Sequence, residues 1–127
     1  MASGDAGARK RRRLSRSGEF DRVYREGSSH ATRYLVLYSF PREEGAAGEV
    51  RLGVSASRKV GGAVERNRVK RALREAFWSL SDRLPEGHDF VVVARPSIRE
   101  LLEKEGADGA RACIESALAE AKADRKT

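Results

Sequence analysis

Positively charged side chains are concentrated in residues 58–75, where they offer the chemistry of phosphate binding. Seven Lys or Arg residues stand there against two Glu residues, which gives a local net charge of +5. A solvated helix usually mixes the two signs and gains stability from pairs at i and i+4. Because this segment forgoes most of those pairs, we expect its cations to bind a phosphate backbone. The candidate residues are Arg58, Lys59, Arg66, Asn67, Arg68, Lys70, Arg71 and Arg74.

Aromatic and small polar side chains offer a second kind of chemistry, the stacking and hydrogen bonding of unpaired bases. In the runs RYLVLYSF (residues 33–40) and VRLGVSAS (residues 50–57), aliphatic residues alternate with Tyr, Ser, Arg and Gly. Alternation places the two kinds on opposite faces of a strand. A face with rings and hydroxyls is typical of single-stranded RNA sites. The same pattern fits Tyr34 and Tyr38 packing under a neighbouring helix, so the residues alone leave both interpretations open.

The sequence contains no constellation typical of protein-based catalysis. His30 and His88 have no Cys or His companions at metal-ligand spacing, and we expect both in surface loops. There is no G-x-S-x-G motif and no phosphate-binding loop of the G-K-[ST] type. Acidic residues are scattered, whereas two-metal nucleases need them clustered. We therefore expect no catalytic residue, no metal ligand and no cofactor on the protein itself.

Composition places the chain among basic, nucleic-acid-binding domains. It has 127 residues, 26 Lys or Arg against 19 Asp or Glu, and a net charge of +7. Its length suits a single domain, and proteins with such a positive charge usually bind a polyanion. The single Cys113 excludes an internal disulfide and favours a cytoplasmic location. No apolar run approaches the roughly 18 residues that a membrane span needs, so we expect no membrane partner.

The hydrophobic pattern predicts the element order helix, strand, strand, helix, strand, helix. A short helix fits residues 17–26, and the runs 33–40 and 50–57 read as an antiparallel pair joined by a long loop. A basic helix begins near Ala63. Its apolar stripe lies opposite its cations and contains Val69, Leu73, Ala76 and Leu80.

The remaining elements complete the predicted α/β two-layer sandwich, a small mixed sheet covered largely on one face by helices. A third strand fits residues 89–95, and helical material follows it. We expect one RNA-binding domain over residues 14–122. Residues 1–13, with the run RKRRR, are expected to be a disordered, phosphate-binding arm, and residues 123–127 a flexible tail.

A family resemblance joins these features. The run RLGVSASRKVGGAVERNRVKRALREAF, residues 51–77, resembles the signature of the bacterial ribonuclease P protein subunit. The resemblance extends to EFDRVYREG, RYLVLY and DFVVVARP, and covers roughly residues 9 to 120 in the same order. It implies a fold like the second domain of ribosomal protein S5. It also implies a one-to-one complex with a catalytic RNA that removes the 5′ leader from precursor tRNA, with the active site and magnesium ions in the RNA.

The resemblance also assigns roles to residues. The cationic candidates given above, centred on Arg66, Asn67 and Arg68, would dock on the ribonuclease P RNA. A cleft between the N-terminal helix and the sheet would hold the single-stranded leader. The residues expected there are Phe20, Tyr24, Tyr34, Tyr38, Arg51, Ser55 and Ser57.

Trp78 stands where the family frequently has a basic residue, which weakens the case for RNA contact at the end of the basic helix.

Other functions remain as alternatives at this point. A ribosomal or ribosome-associated RNA-binding protein would share the size and charge of this chain. A DNA-binding regulator fits less well, because a strand and not a short helix precedes the basic helix.

Overall fold

The computed structural model describes residues 10–14, 17–41, 49–84 and 87–126. These residues form a five-stranded mixed sheet in the order β1-β4-β5-β3-β2 and three α-helices. The strands are β1 (Lys10–Arg13), β2 (Ser28–Ala31), β3 (Leu35–Pro41), β4 (Glu49–Ala56) and β5 (His88–Ala94). The helices are α1 (Ser17–Glu26), α2 (Ala63–Trp78) and α3 (Ile98–Lys126), with a short 3₁₀ helix at Ser81–Arg83.

The centre of the sheet is β5, which pairs in parallel with β4 and antiparallel with β3. The predicted antiparallel pair of residues 33–40 and 50–57 is therefore wrong, because β5 lies between them. The apolar run Phe90–Val92 is almost fully buried, as expected of a strand covered on both faces. Alternation in the two flanking strands shows which face is apolar but not which strand is the neighbour.

Two strands were missed in the sequence. β2 is a four-residue edge strand that pairs antiparallel with β3. β1 pairs in parallel with the opposite edge strand of the core sheet, β4. The expectation of a disordered arm is thus wrong for residues 10–13, while residues 1–9 lie outside the described part. A run of cations carries no alternation, so only the pairing of its backbone with an open sheet edge reveals the strand.

The sheet has a large core on one face and a small core on the other. The large core packs β3, β4 and β5 against α2 and α3, and it includes the predicted aliphatic side chains Leu35, Leu37 and Leu52. The small core, beneath α1, contains Leu14, Val23 and Val91. The predicted fold class, a small mixed sheet with helices, is confirmed.

Helix α3 bends at Gly106, whose φ of 61° and ψ of −147° interrupt the helical backbone. Its second part extends through Lys126, where the sequence predicted a flexible tail from residue 123. Within the described residues, no helix has the length and apolar character required to cross a membrane.

Candidate nucleic-acid interface

The outer face of α2 presents part of the predicted cationic set, and the predicted amide, to solvent. Val69, Leu73 and Phe77 bury the inner face against the sheet, and this fixes which residues point outward. Asn67, Arg68 and Arg71 are exposed, and Arg66, Lys70 and Arg74 are partly buried. Arg58 and Lys59 are exposed in the turn that precedes the helix. The exposed side of α2 thus carries Asn67, Arg68 and Arg71, whereas Arg66, seven residues before the buried Leu73, has a buried Nε.

The turn before α2 is held in place from both sides. Val60 is buried, and its amide donates to the Ser57 carbonyl at 3.0 Å. Arg99 of α3 donates to the Val60 carbonyl at 3.4 Å and lies 3.4 Å from a Glu65 carboxylate oxygen. Gly61 adopts a φ of 155°, at the edge of the region that L side chains rarely adopt. Arg58 and Lys59 are therefore presented on a defined turn.

Aromatic rings line a cleft between α1 and the sheet. Phe20 and Tyr24 lie one turn apart on α1, with ring centroids 6.3 Å apart. Tyr24 meets Tyr38 of β3 edge-on, with centroids 4.9 Å apart and planes at 73°. Phe20 rests directly on Gly53, where an added Cβ would lie 2.5 Å from the ring. The glycine lets α1 approach the sheet closely.

Tyr24 is the most accessible of these rings, with 38% of its surface exposed. Partial burial raises the pKa of its phenol, and a hydrogen bond with the Ser55 side chain opposes that rise. Ser57 is exposed at the end of β4, and its hydroxyl oxygen accepts the Lys59 amide at 3.3 Å. The cleft therefore combines one accessible ring with the neighbouring Ser55 hydroxyl, while Ser57 lies just beyond the last residue of β4.

Arg51, predicted to bind the leader, is occupied by two carboxylates. It donates to Asp89 through Nε at 2.7 Å and Nη2 at 2.6 Å. Its Nη1 donates to Glu19 of α1 at 2.6 Å. The hydrogen bonds with Asp89 raise the pKa of the Arg51 guanidinium. In this arrangement Arg51 ties α1 to the sheet, and it presents no free charge to a phosphate.

Tyr34 does not belong to the cleft, contrary to the prediction. It packs against the large core on the opposite face of the sheet, and the Arg33 guanidinium lies 5.6 Å from its ring centroid. The residue precedes β3 in a turn where the Thr32 hydroxyl oxygen accepts the Tyr34 amide at 3.2 Å and the Leu35 amide at 3.1 Å. Strand alternation does not hold in such a turn.

The potential reactive residues are used in packing. Cys113 is half-buried, burial raises the pKa of its thiol, and its sulfur lies 3.1 Å from the Thr32 hydroxyl. His30 and His88 are buried in β2 and β5 and not in surface loops as predicted. Among the residues that the structure describes, no group of three or more acidic, His or Cys side chains could hold a metal ion.

Comparison with known proteins decides the family. The family model for ribonuclease P matches residues 8–118. The chain belongs to the ribonuclease P protein family. A ribonuclease P protein component from Bacillus cereus strain B4264 is 39% identical over 97 residues, covering 76% of this chain and 83% of that protein.

Solved structures of family members have the same fold. The RNase P protein of Staphylococcus aureus superimposes with a TM-score of 0.72 at 33% identity, covering 87% of this chain and 94% of that chain. The RNase P protein of Thermotoga maritima superimposes with a TM-score of 0.71 at 30% identity, covering 82% and 92%. The family resemblance read from residues 51–77 is therefore confirmed.

Two acidic residues at the cleft were missed in the sequence. Asp89 is 1% exposed in β5, and Glu19 stands in the first turn of α1. A lone Asp in a strand as apolar as β5 needs a buried partner, because an unpaired buried charge is very costly. That requirement predicts a cation on a neighbouring strand. Arg51 was not recognised as this cation because the predicted pairing placed β4 beside β3 and not beside β5.

Proposed function

We propose that this chain is the RNA-binding protein subunit of ribonuclease P. It assists a catalytic RNA in removing the 5′ leader from precursor tRNA. One observation carries the proposal: the cationic face of α2 and the aromatic cleft lie on opposite sides of one sheet. A protein with two such surfaces can contact two RNA segments at the same time.

The cleft suits a single-stranded leader. Stacking of a base on an aromatic side chain contributes about 1–3 kcal/mol and tolerates any base. Tyr24 offers an accessible ring, with Phe20 and Tyr38 packed beside it. Ser55 and Ser57 add hydroxyls that can bond to bases or sugars. We assign Arg51 to the support of α1 and not to direct leader binding, because its guanidinium already bonds Asp89 and Glu19.

The cationic face of α2 suits the ribonuclease P RNA. Arginine guanidinium groups bind phosphate oxygens with two parallel hydrogen bonds, and a rigid helix holds them at fixed spacing. Asn67 adds a neutral donor and acceptor between Arg66 and Arg68. Because each phosphate contact releases counterions, the affinity for this RNA should fall steeply with salt.

The RNA supplies the active site and its magnesium ions in this proposal, and the protein supplies binding and orientation. We propose a one-to-one ribonucleoprotein in the cytoplasm. The rate advantage of the protein would come from positioning the precursor on the catalytic RNA.

The test is a comparison of leader-bearing precursor tRNA with mature tRNA. The affinity of each tRNA is measured for two complexes of a bacterial ribonuclease P RNA, one with the wild-type protein and one with the Tyr38→Ala variant. We expect Tyr38→Ala to weaken precursor binding by about 1–3 kcal/mol, the contribution of one stacked base, and to leave mature tRNA binding unchanged. An equal loss for both ligands would contradict the leader cleft. A protein without preference for ribonuclease P RNA would point to a ribosome-associated function.

A further inference from the structure

A groove runs along the seam between α2 and α3. Its cavity of about 470 Å³ falls within the range of small-molecule sites, which often lie between packed helices. We propose that this groove binds a small amphipathic organic cation, which has an apolar body and an ammonium, amidinium or guanidinium group. The groove shares only Arg68 with the residues assigned to RNA.

The break in α3 helps to open the groove. The two helices lie side by side, and Glu65 near the start of α2 is 3.4 Å from Arg99 near the start of α3. Small residues line the seam, Ala72 on α2 and both Gly106 and Ala107 on α3. Gly106 interrupts α3 with a φ of 61°, and a Cβ added there would meet no neighbouring atom within 4 Å. The groove thus stays open where two regular helices would interdigitate their side chains.

The floor of the groove is aliphatic. Val69 is 3% exposed and belongs to the large core, and Leu102 is half-buried against that core. Ala72 is half-buried as well. A hydrocarbon body placed on these side chains leaves water, which is favourable because apolar surface is buried. The floor therefore favours a ligand with an apolar part over a hydrated inorganic ion.

The rim of the groove is acidic, although the protein carries a net charge of +7. Three glutamates, Glu65, Glu75 and Glu103, line the cavity with two arginines, Arg68 and Arg99. Glu65 already faces Arg99. Within the part of the chain that the structure describes, neither Glu75 nor Glu103 forms an ion pair or a side-chain hydrogen bond. These two carboxylates belong to opposite walls, and both are available to a ligand cation.

Charge distinguishes this groove from the adjacent surface assigned to RNA. A neighbouring cavity of about 350 Å³ on α2 has Arg68, Arg71 and Glu75 as its charged residues, so its net charge is positive. A phosphate is attracted there and is repelled by the carboxylates of the groove. A neutral apolar ligand would partly desolvate Glu75 and Glu103 without giving them a partner, which is costly. An amphipathic cation satisfies the floor and the rim together.

The test uses benzamidine and benzamide, two probes of nearly the same shape that differ in charge. The full chain, isotope-labelled, is titrated with each probe and followed by two-dimensional NMR. We expect benzamidine to cause saturable shifts at the backbone amides of Ala72, Leu102, Gly106 and Ala107. Benzamide should bind about fivefold more weakly, as expected for the loss of one partly exposed ion pair.

Variants test which residues form the site. Glu75→Gln and Glu103→Gln each remove one carboxylate, and each should weaken benzamidine binding about threefold to fivefold without changing benzamide binding. Ala72→Met should fill the floor and prevent both probes from binding. Glu120→Gln is the matched control, because Glu120 is exposed on α3 and does not line the groove. It should bind both probes like the wild-type protein.

Three results would overturn the proposal. Shifts that do not saturate, or that are absent from the groove amides, would remove the site. Equal affinities for benzamidine and benzamide would contradict the cationic class of ligand. Equal weakening by Glu103→Gln and Glu120→Gln would show general attraction to an acidic surface and not a specific groove. The proposed function is tested separately by RNA and precursor tRNA binding, so it does not depend on these results.

Discussion

Substitution of Asp89 by Asn should loosen the attachment of α1 to the sheet. Asp89 accepts two hydrogen bonds from Arg51, whose third donor bonds Glu19 of α1. Breaking a fully buried ion pair costs about 3–5 kcal/mol, because it leaves an uncompensated charge. Asp89 is 1% exposed but the Arg51 side chain is 14% exposed and keeps Glu19. Because Arg51 is partly exposed and keeps one carboxylate partner, we expect a loss at or below the lower end of that range, about 2–3 kcal/mol in the free energy of unfolding.

The assay is chemical and thermal unfolding followed by circular dichroism. For a domain of this length, 1 kcal/mol corresponds to about 4 °C in Tm, so Asp89→Asn should lower Tm by about 10 °C. Glu115→Gln is the matched control. It removes a carboxylate from the Arg83–Glu115 pair, whose side chains are 56% and 36% exposed, and an exposed pair contributes at most about 1 kcal/mol.

The effect on leader binding separates anchoring from stability. Because the Arg51 bridge holds α1 over the sheet, Asp89→Asn should also weaken precursor binding more than mature tRNA binding. Equal destabilisation by Asp89→Asn and Glu115→Gln would refute the reasoning about burial. A destabilised Asp89→Asn variant with unchanged leader preference would refute the role of the bridge in the cleft.

Three further predictions concern the two surfaces. Gly53→Val should place its Cβ 2.5 Å from the Phe20 ring. This overpacking should cost about 1–3 kcal/mol in the free energy of unfolding and lower the affinity for precursor tRNA. Wild-type affinity in this variant would contradict the close packing of α1 on the sheet. Tyr24 should titrate above the ordinary tyrosine pKa in absorbance at high pH, and Ser55→Ala should raise that pKa further, since the Ser55 hydrogen bond lowers it. The raised pKa means that stability from Tyr24 is complete below about pH 10 and is lost as the pH rises through the folded-state pKa. Arg68→Ala plus Arg71→Ala should weaken affinity for ribonuclease P RNA without lowering Tm, and unchanged affinity would contradict the docking face.

The faces of the elements were predictable from the sequence because periodicity follows burial directly. The apolar stripe Val69, Leu73 and Ala76 defined the inner side of α2, and with it the exposed cations on the other side. The aliphatic side chains Leu35 and Leu37 likewise defined the large-core face of the sheet. Both patterns arise within one element, so the rest of the chain is not needed to read them.

Strand order was not predictable in the same way, because it depends on contacts distant in the chain. Nothing in residues 33–40 or 50–57 shows that β5 inserts between them. β1 is harder still, since a run of cations gives no pattern and its strand exists through pairing with β4.

Two residues, Tyr34 and Arg51, were wrongly assigned to leader binding because their contacts could not be predicted from strand alternation. Tyr34 was assigned by extending the alternation of β3 into a turn that the Thr32 side chain shapes. Arg51 was assigned as a free cation because its partner Asp89 is remote in sequence and adjacent only in the parallel β4–β5 ladder, where the two residues stand opposite each other. Phe20, Tyr24, Tyr38 and Ser55 did come together, because their placement needs only α1 packed on the sheet face that the alternation defines.

The most direct test of the central claim is cleavage of labelled precursor tRNA at low magnesium concentration. A bacterial ribonuclease P RNA is incubated with and without this protein, alongside the protein alone. We expect removal of the 5′ leader only when RNA and protein are both present. Absence of stimulation at every magnesium concentration would contradict the accessory-subunit function, and cleavage by the protein alone would contradict the placement of the active site in the RNA.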